Sequence, residues 1–174
     1  MKRSPILIAA IATALFGAGM AGAQSGVSAL KGHNSKAPID LSADRAEAQD
    51  RADRAIFAGN VVVRQGELTL RTARLTLAYA NTDGIDINRI DASGGVTVTS
   101  PSETARGDFA VYDLNKGLIT MVGNVRLDRG ASYLTGGRLT LDLDTGRAVM
   151  DGGVRGINQR GGRVTGRFTV PQRN

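Results

Sequence analysis

The chain has 174 residues, 23 glycines, no cysteine, no tryptophan, one histidine and a formal net charge of +6. This length fits one domain, and a chain without cysteine cannot form disulfides. Valine, isoleucine, leucine and methionine must supply most of any core, since only four phenylalanines and three tyrosines are present.

The chain begins with a segment typical of export. Lys2 and Arg3 precede an apolar run over 6–16, and the small residues at 21–23 fit a cleavage site. We expect a signal peptide over 1–23; a retained membrane anchor is the alternative, although the run is shorter than the roughly 20 residues of a spanning helix. A flexible linker is expected over 24–37, with its single His33 solvated.

Two linked motifs repeat along the rest of the chain. The first is a Gly-(Asn/Gly)-Val step whose valines are Val61, Val96, Val125 and Val154. The second follows eleven or twelve residues later and begins at Ala73, Gly107, Gly137 and Gly166. Recurrence of a linked pair predicts a stack of equivalent units.

Each unit has the alternation of a strand. In the third unit, Ile119, Met121 and Leu127 alternate with polar residues, and the turn signal at 115–117 precedes them. Positive φ angles are expected at the second residue of each step, because asparagine and glycine tolerate them best. We therefore expect bends at Asn60, Gly95, Asn124 and Gly153, which fold each long strand between two sheets.

The two ends of such a stack are exposed strand edges, which can pair with another chain. The first edge, over 39–48, is acidic, whereas the last edge, over 163–170, is basic. We expect head-to-tail association between them. The predicted edge or partner-binding residues are Ile39, Leu41, Asp44, Arg163, Arg167 and Phe168.

The stretch Phe57-Ala58-Gly59-Asn60-Val61-Val62-Val63-Arg64-Gln65-Gly66 resembles the hallmark of the OstA-like domains of lipopolysaccharide transport. The residues at 39–47 are similar to the strand that opens these domains, and the resemblance covers about 38–170, leaving a tail over 171–174. It implies an all-β fold, an open β-jellyroll of stacked antiparallel strands, with no cofactor or metal.

Three architectures exist within this family: single-domain exported (LptA-like), helix-anchored (LptC-like) and barrel-fused (LptD-like) members. The predicted signal peptide favours the LptA-like architecture and hence the periplasm; an LptC-like component is the alternative. The resemblance implies LptC-like inner-membrane and LptD-like outer-membrane partners, head-to-tail self-association, and lipopolysaccharide (lipid A) as ligand.

The resemblance also implies that the apolar interior holds acyl chains. The predicted lining residues are Phe57, Val61, Val63, Leu75, Leu77, Ile90, Val96, Val98, Phe109, Val111, Ile119, Met121, Val125, Leu127, Leu139, Leu141, Met150 and Phe168. An ordinary filled core is the competing interpretation, since every β-sandwich has alternating apolar columns.

Other function classes fit less well. A polymerising structural β-solenoid would share the repeats and the edges but have a filled interior. Nucleic-acid binding is disfavoured because the excess charge is confined to one end: 152–174 holds five arginines and no acid. Catalysis is disfavoured because the chain has neither a cysteine nor a Gly-x-Ser-x-Gly motif.

Overall fold

The computed structural model of the chain describes residues 33–81, 84–153 and 162–170. In this part of the chain, ten strands form one antiparallel sheet, together with a short 3₁₀ turn at Asp50–Ala52. The strands are β1 (Ile39–Ser42), β2 (Arg45–Gln49), β3 (Arg54–Gln65), β4 (Leu68–Asn81), β5 (Ile85–Thr99), β6 (Glu103–Asp113), β7 (Leu118–Arg129), β8 (Ser132–Asp142), β9 (Arg147–Asp151) and β10 (Thr165–Arg167). The predicted all-β stack of antiparallel strands is confirmed.

Some sequence predictions lie outside these residues. They concern the signal peptide, most of the linker, Val154 and the C-terminal tail. Within the described ranges there is no helix with the length and apolar character needed to cross a bilayer.

Six long strands, β3 to β8, pair in chain order, and each end of the sheet carries two short strands. At the first end, β1 and β2 both pair with β3. At the last end, β9 and β10 both pair with β8. Each pair of short strands therefore occupies the place of one long strand.

The long strands bend where the Gly-(Asn/Gly) steps occur. The pairing register shifts between Ala58 and Val61 in β3 and at the equivalent points of β5 and β7. The φ angles are 44° at Asn60, 82° at Gly95, 46° at Asn124 and 91° at Gly153. All four predicted bend positions thus have the left-handed backbone that asparagine and glycine accept, and the prediction is confirmed.

The row of bends divides the sheet into two halves that face each other. The β1 half contains β1, β10 and the segments 61–65, 68–72, 96–99, 103–106, 125–129 and 132–136. The β2 half contains β2, β9 and the segments 54–58, 74–81, 85–93, 109–113, 118–122 and 138–142. We call the space between the halves the trough.

The fourth unit departs from the predicted pattern. β9 pairs with 138–142 of β8 and ends at Asp151, and β10 then pairs with 133–135 of the same strand. Both are antiparallel to β8, so β10 continues the direction of β9 instead of returning as a further strand. Gly152 and Gly162 are in backbone contact, so the end of β9 and the segment just before β10 meet at one point.

This interruption corrects the predicted position of Phe168. The repeat aligned Phe168 with Leu139. In the structure Arg167 pairs with Tyr133, and the backbone amide of Thr169 donates a hydrogen bond to the Ser132 hydroxyl. Phe168 therefore lies at the margin of the β1 half, far along β8 from Leu139. Its side chain is 69% exposed.

Candidate functional site

Apolar side chains from every long strand line the trough. At the central level of the β2 half, successive cross-strand partners run from Phe57 on β3 to Met150 on β9 through Leu75, Ala92, Ala110, Met121 and Leu139. Leu75, Met121 and Leu139 are 0% exposed. Each such burial contributes about 1.5–3 kcal/mol to stability, so this row holds the two halves together.

Most predicted lining residues do face the trough. The buried ones are Val61, Val63, Leu75, Leu77, Ile90, Val96, Val98, Ile119, Met121, Val125, Leu127, Leu139 and Leu141. Phe57 and Met150 pack against them and are partly buried. Whether any of these side chains contacts a lipid stays a prediction.

The predicted inward orientation of Phe109 and Val111 is wrong. Phe109 is 54% exposed, and the buried residues of that segment are Ala110 and Tyr112. The alignment equated Gly107 with Ala73 and Gly137, but Gly107 pairs with Val96 as Thr72 pairs with Val61 and Gly136 with Val125, so the second motif was aligned one residue too early. Because side chains alternate between faces, an error of one position reverses the face of the whole segment.

The sequence interpretation also omitted several lining residues. Leu68, Leu70 and Tyr112 are buried in the trough. The alternation of leucine with polar residues after the turn at 66–67 was the available signal for the two leucines. Tyr112 was missed through the same one-residue error that misplaced Phe109.

Two aspartates support the bends from the neighbouring strand position. Asp44 accepts a hydrogen bond from the side-chain amide of Asn60 at 2.8 Å, and Asp108 accepts one from Asn124 at 2.8 Å. A Cβ atom at Gly59 would overlap the Asp44 carboxylate, which explains the glycine there. One oxygen of Asp44, a predicted partner-binding residue, is therefore engaged within its own chain.

The remaining predicted edge residues divide into two groups. Ile39 and Leu41 on β1 pack against the core with their side chains, so only their backbone faces the open edge. Arg163 and Arg167 are exposed near the last edge. The structure adds β9 to this last edge, where Arg147 and Asp151 lie at its ends.

A cavity of about 560 Å³ opens between the two halves at the β9–β10 end of the sheet. Its apolar walls include Leu127 and Leu134 from the β1 half, Ala148 from the β2 half, and Phe168. These side chains extend the apolar lining of the trough to its end. The cavity is thus an opening into the interior between the half-sheets.

One ion pair lies in the wall of this cavity. The Glu103 carboxylate is buried and pairs with the Arg129 guanidinium, which is partly exposed. The pairing and its further contacts compensate the cost of burying a carboxylate. The cavity therefore combines apolar walls with a charged group.

A cluster of polar groups joins the margins of the trough near its other end. Gln65 Oε1 accepts a hydrogen bond from the Tyr112 hydroxyl at 3.0 Å and lies 3.2 Å from His33 Nε2. Gln65 Nε2 donates to the carbonyl oxygens of Ser35 at 2.7 Å and Ala37 at 3.1 Å. The sequence predicted a solvated His33, whereas the structure places its ring beside Gln65. Burial, with a smaller effect of the Asp144 charge, raises the pKa of Tyr112 to about 12.

Comparison with known proteins agrees with this architecture. Residues 40–147 match the family described as "LptA/(LptD N-terminal domain) LPS transport protein". This match covers more than half of the chain. The chain belongs to this family.

Two relatives illustrate how the family varies. The chain is 34% identical over 121 residues to an uncharacterised protein of Rhizobium meliloti strain 1021, which covers 66% of this chain and 65% of the relative. It is 32% identical over 114 residues to the LPS-assembly protein LptD of Yersinia enterocolitica, which covers 60% of this chain and 14% of that protein. The chain therefore aligns with less than two thirds of either relative.

A solved structure shares the fold. LptH of Pseudomonas aeruginosa, described as the LptA-homologous periplasmic component of the lipopolysaccharide transport device, superposes with a TM-score of 0.68. The match covers 79% of this chain and 99% of LptH at 18% sequence identity. The likeness establishes the LptA-type β-jellyroll fold for this chain.

Proposed function

We propose that this member of the family binds lipopolysaccharide in the periplasm and shields its lipid A acyl chains in the trough. The observation that carries the proposal is the cavity that continues the apolar interior to the β9–β10 end. An acyl chain in an apolar site is more stable than in water by about 0.8 kcal/mol per CH₂ group. The role needs binding and release, so we propose no catalytic step.

We further propose that copies associate head to tail and bridge an LptC-like inner-membrane partner and an LptD-like outer-membrane partner. Support comes from the two sheet ends, where the short strands β1, β2, β9 and β10 each have one edge that pairs with no other described strand. Pairing of unlike edges is heterologous and produces open assemblies. Such an assembly would make the troughs of successive copies continuous.

Two phenylalanines provide a matched test of lipid binding. Phe168 lines the cavity, whereas Phe109 lies on the outer face, and both are more than half exposed. Replacing each in turn by the photoreactive analogue p-benzoylphenylalanine should yield lipopolysaccharide adducts from position 168 in living cells and few or none from position 109. Equal adduct yields at the two positions would contradict the proposal.

A filled structural stack is the second candidate function. The full burial of Leu75, Met121 and Leu139 favours it, because these side chains leave no room at the centre of the trough. This candidate predicts no adduct from position 168 under the same conditions. A lipid-binding role instead requires that the two halves separate when the ligand enters.

A further inference from the structure

Separation of the halves must break the contacts that join their free margins. The margins lie opposite the bends, where hairpin turns connect neighbouring strands. Gln65 ends β3 at the margin of the β1 half, and Tyr112 lies next to the last residue of β6 at the margin of the β2 half. Their side chains meet at 3.0 Å.

The strand register shows how far this contact reaches across the fold. Arg64, beside Gln65, is level with Thr104 on β6 through the cross-strand partners Thr69 and Thr99. Tyr112 lies eight residues beyond Thr104, which is roughly 26 Å along an extended strand. The hydrogen bond therefore exists only because the sheet is folded, and it spans the open side of the trough.

The groups on both sides of this contact are buried and fully used. Gln65 is 2% exposed, and its amide also binds the backbone of the segment 33–37, which thereby covers the β1-half margin. The structure contains no unpaired buried side-chain polar atom among its described residues. Breaking the contact would leave the buried Tyr112 hydroxyl without this acceptor unless water or a ligand replaced it, whereas Gln65 Oε1 would keep its contact with His33.

We propose that the Gln65–Tyr112 hydrogen bond holds the lateral opening of the trough closed and must break before an acyl chain reaches the central residues Met121 and Leu139. This inference rests on the proposed lipid-binding function and specifies how that site is controlled. The cavity at the β9–β10 end admits part of a ligand with the contact intact. Full loading separates the margins.

Spin labels on the two margins measure this separation directly. Glu67 and Asn115 are exposed turn residues just beyond Gln65 and Tyr112, and the chain has no other cysteine to label. In the full chain carrying Glu67→Cys and Asn115→Cys, we expect the distance between labels to lengthen by several ångström when purified lipopolysaccharide binds. An unchanged distance while the lipid is bound would overturn the inference and leave the proposed function standing.

The variant Tyr112→Phe removes only the hydroxyl group. We expect it to show the longer label distance without lipid and to take up fluorescent lipopolysaccharide about fivefold faster, the effect of losing one neutral hydrogen bond. Gln65→Asn shortens the side chain on the other margin and should also speed uptake. It provides the test if Tyr112→Phe folds poorly.

Tyr79→Phe is the matched control, because the hydroxyl of Tyr79 faces Asp50 of its own half-sheet. We expect uptake by this control to equal that of the native chain. If neither Tyr112→Phe nor Gln65→Asn differs from the control in uptake, the inference is wrong. If the native chain itself takes up no lipid, the proposed function fails and the inference fails with it.

Discussion

At the scale of single residues, the four bends differ in one correlated way. The residue opposite the bend is aspartate where the bend contains asparagine, and alanine or glycine where the bend is Gly-Gly. The four sets are Asp44 with Gly59-Asn60, Ala73 with Gly94-Gly95, Asp108 with Gly123-Asn124, and Gly137 with Gly152-Gly153. The bends with asparagine therefore have a side-chain hydrogen bond to aspartate, whereas the Gly-Gly bends lie close to a small residue, Ala73 or Gly137.

This correlation predicts energetic coupling between Asp108 and Asn124. Asp108→Ala leaves the asparagine amide without its partner, and Asn124→Gly keeps the backbone angle but removes the donor. The double variant recreates the arrangement found at Ala73 and 94–95, so we expect its loss of stability to be smaller than the sum of the single losses. Urea unfolding of the four proteins should give a coupling of at least about 0.5 kcal/mol. Strictly additive effects would contradict the prediction.

The backbone at the bends could be predicted from the sequence, whereas the face of one segment could not. Asparagine and glycine at a repeated position define a positive φ through local sterics alone. The orientation of Phe109 depends on which residue of 107–111 is equivalent to Leu75 and Leu139, and the cross-strand pairing assigns Ala110 to that place. Alanine at 110 carries little hydrophobic signal, although it is buried beside Met121.

At the scale of strands, the two ends of the sheet have matching registers. Ala48 on β2 and Ala148 on β9 lie at the same level of the sheet. Each residue of the row between them is the cross-strand partner of the next, and the row passes through positions 55, 77, 90, 112, 119 and 141. Both alanines are exposed. Antiparallel continuation of the sheet from one copy to the next would place Ala148 directly opposite Ala48 of the following copy.

This register makes the head-to-tail proposal testable. Opposite residues of an antiparallel pair lie about 4.5–5.5 Å apart between Cα atoms, which suits a disulfide. We expect the double variant Ala48→Cys with Ala148→Cys to form a ladder of disulfide-linked oligomers on mild oxidation, measured by non-reducing electrophoresis. The control pair, Ala46→Cys with Ala148→Cys, is displaced by two residues and should crosslink far less. Exclusively monomeric protein at high concentration and low salt would exclude this association.

The strands of the first three units could be predicted, but the division of the fourth could not. Alternation and turn signals define a strand locally, and they hold from β3 to β8. The motif at 166–170 resembles its counterparts in residue type, yet β10 pairs with the same strand, β8, with which β9 pairs. Nothing in a local pattern distinguishes a returning strand from a continued one.

At the scale of the whole molecule, Tyr112 links the folded shape to pH. Its pKa is raised from 10.0 to about 12 in the folded protein, so the folded state retains the phenolic proton more strongly than the unfolded chain. The stabilisation is therefore complete below pH 10 and is lost as the pH rises through about 12. We expect the native chain to lose more stability than Tyr112→Phe between pH 10 and pH 12, as measured by urea unfolding. Parallel losses in both proteins would contradict this assignment.

The repetition of bends also makes the trough a molecular ruler. Each unit adds two bent strands, and neighbouring strands are about 4.8 Å apart, so one further unit would lengthen the trough by roughly 10 Å. The cross-section would stay the same, because each Gly-(Asn/Gly) step repeats the same left-handed backbone. The distance that one copy spans is thus set by how many times a hairpin of about 30 residues is repeated, independently of the chemistry inside it.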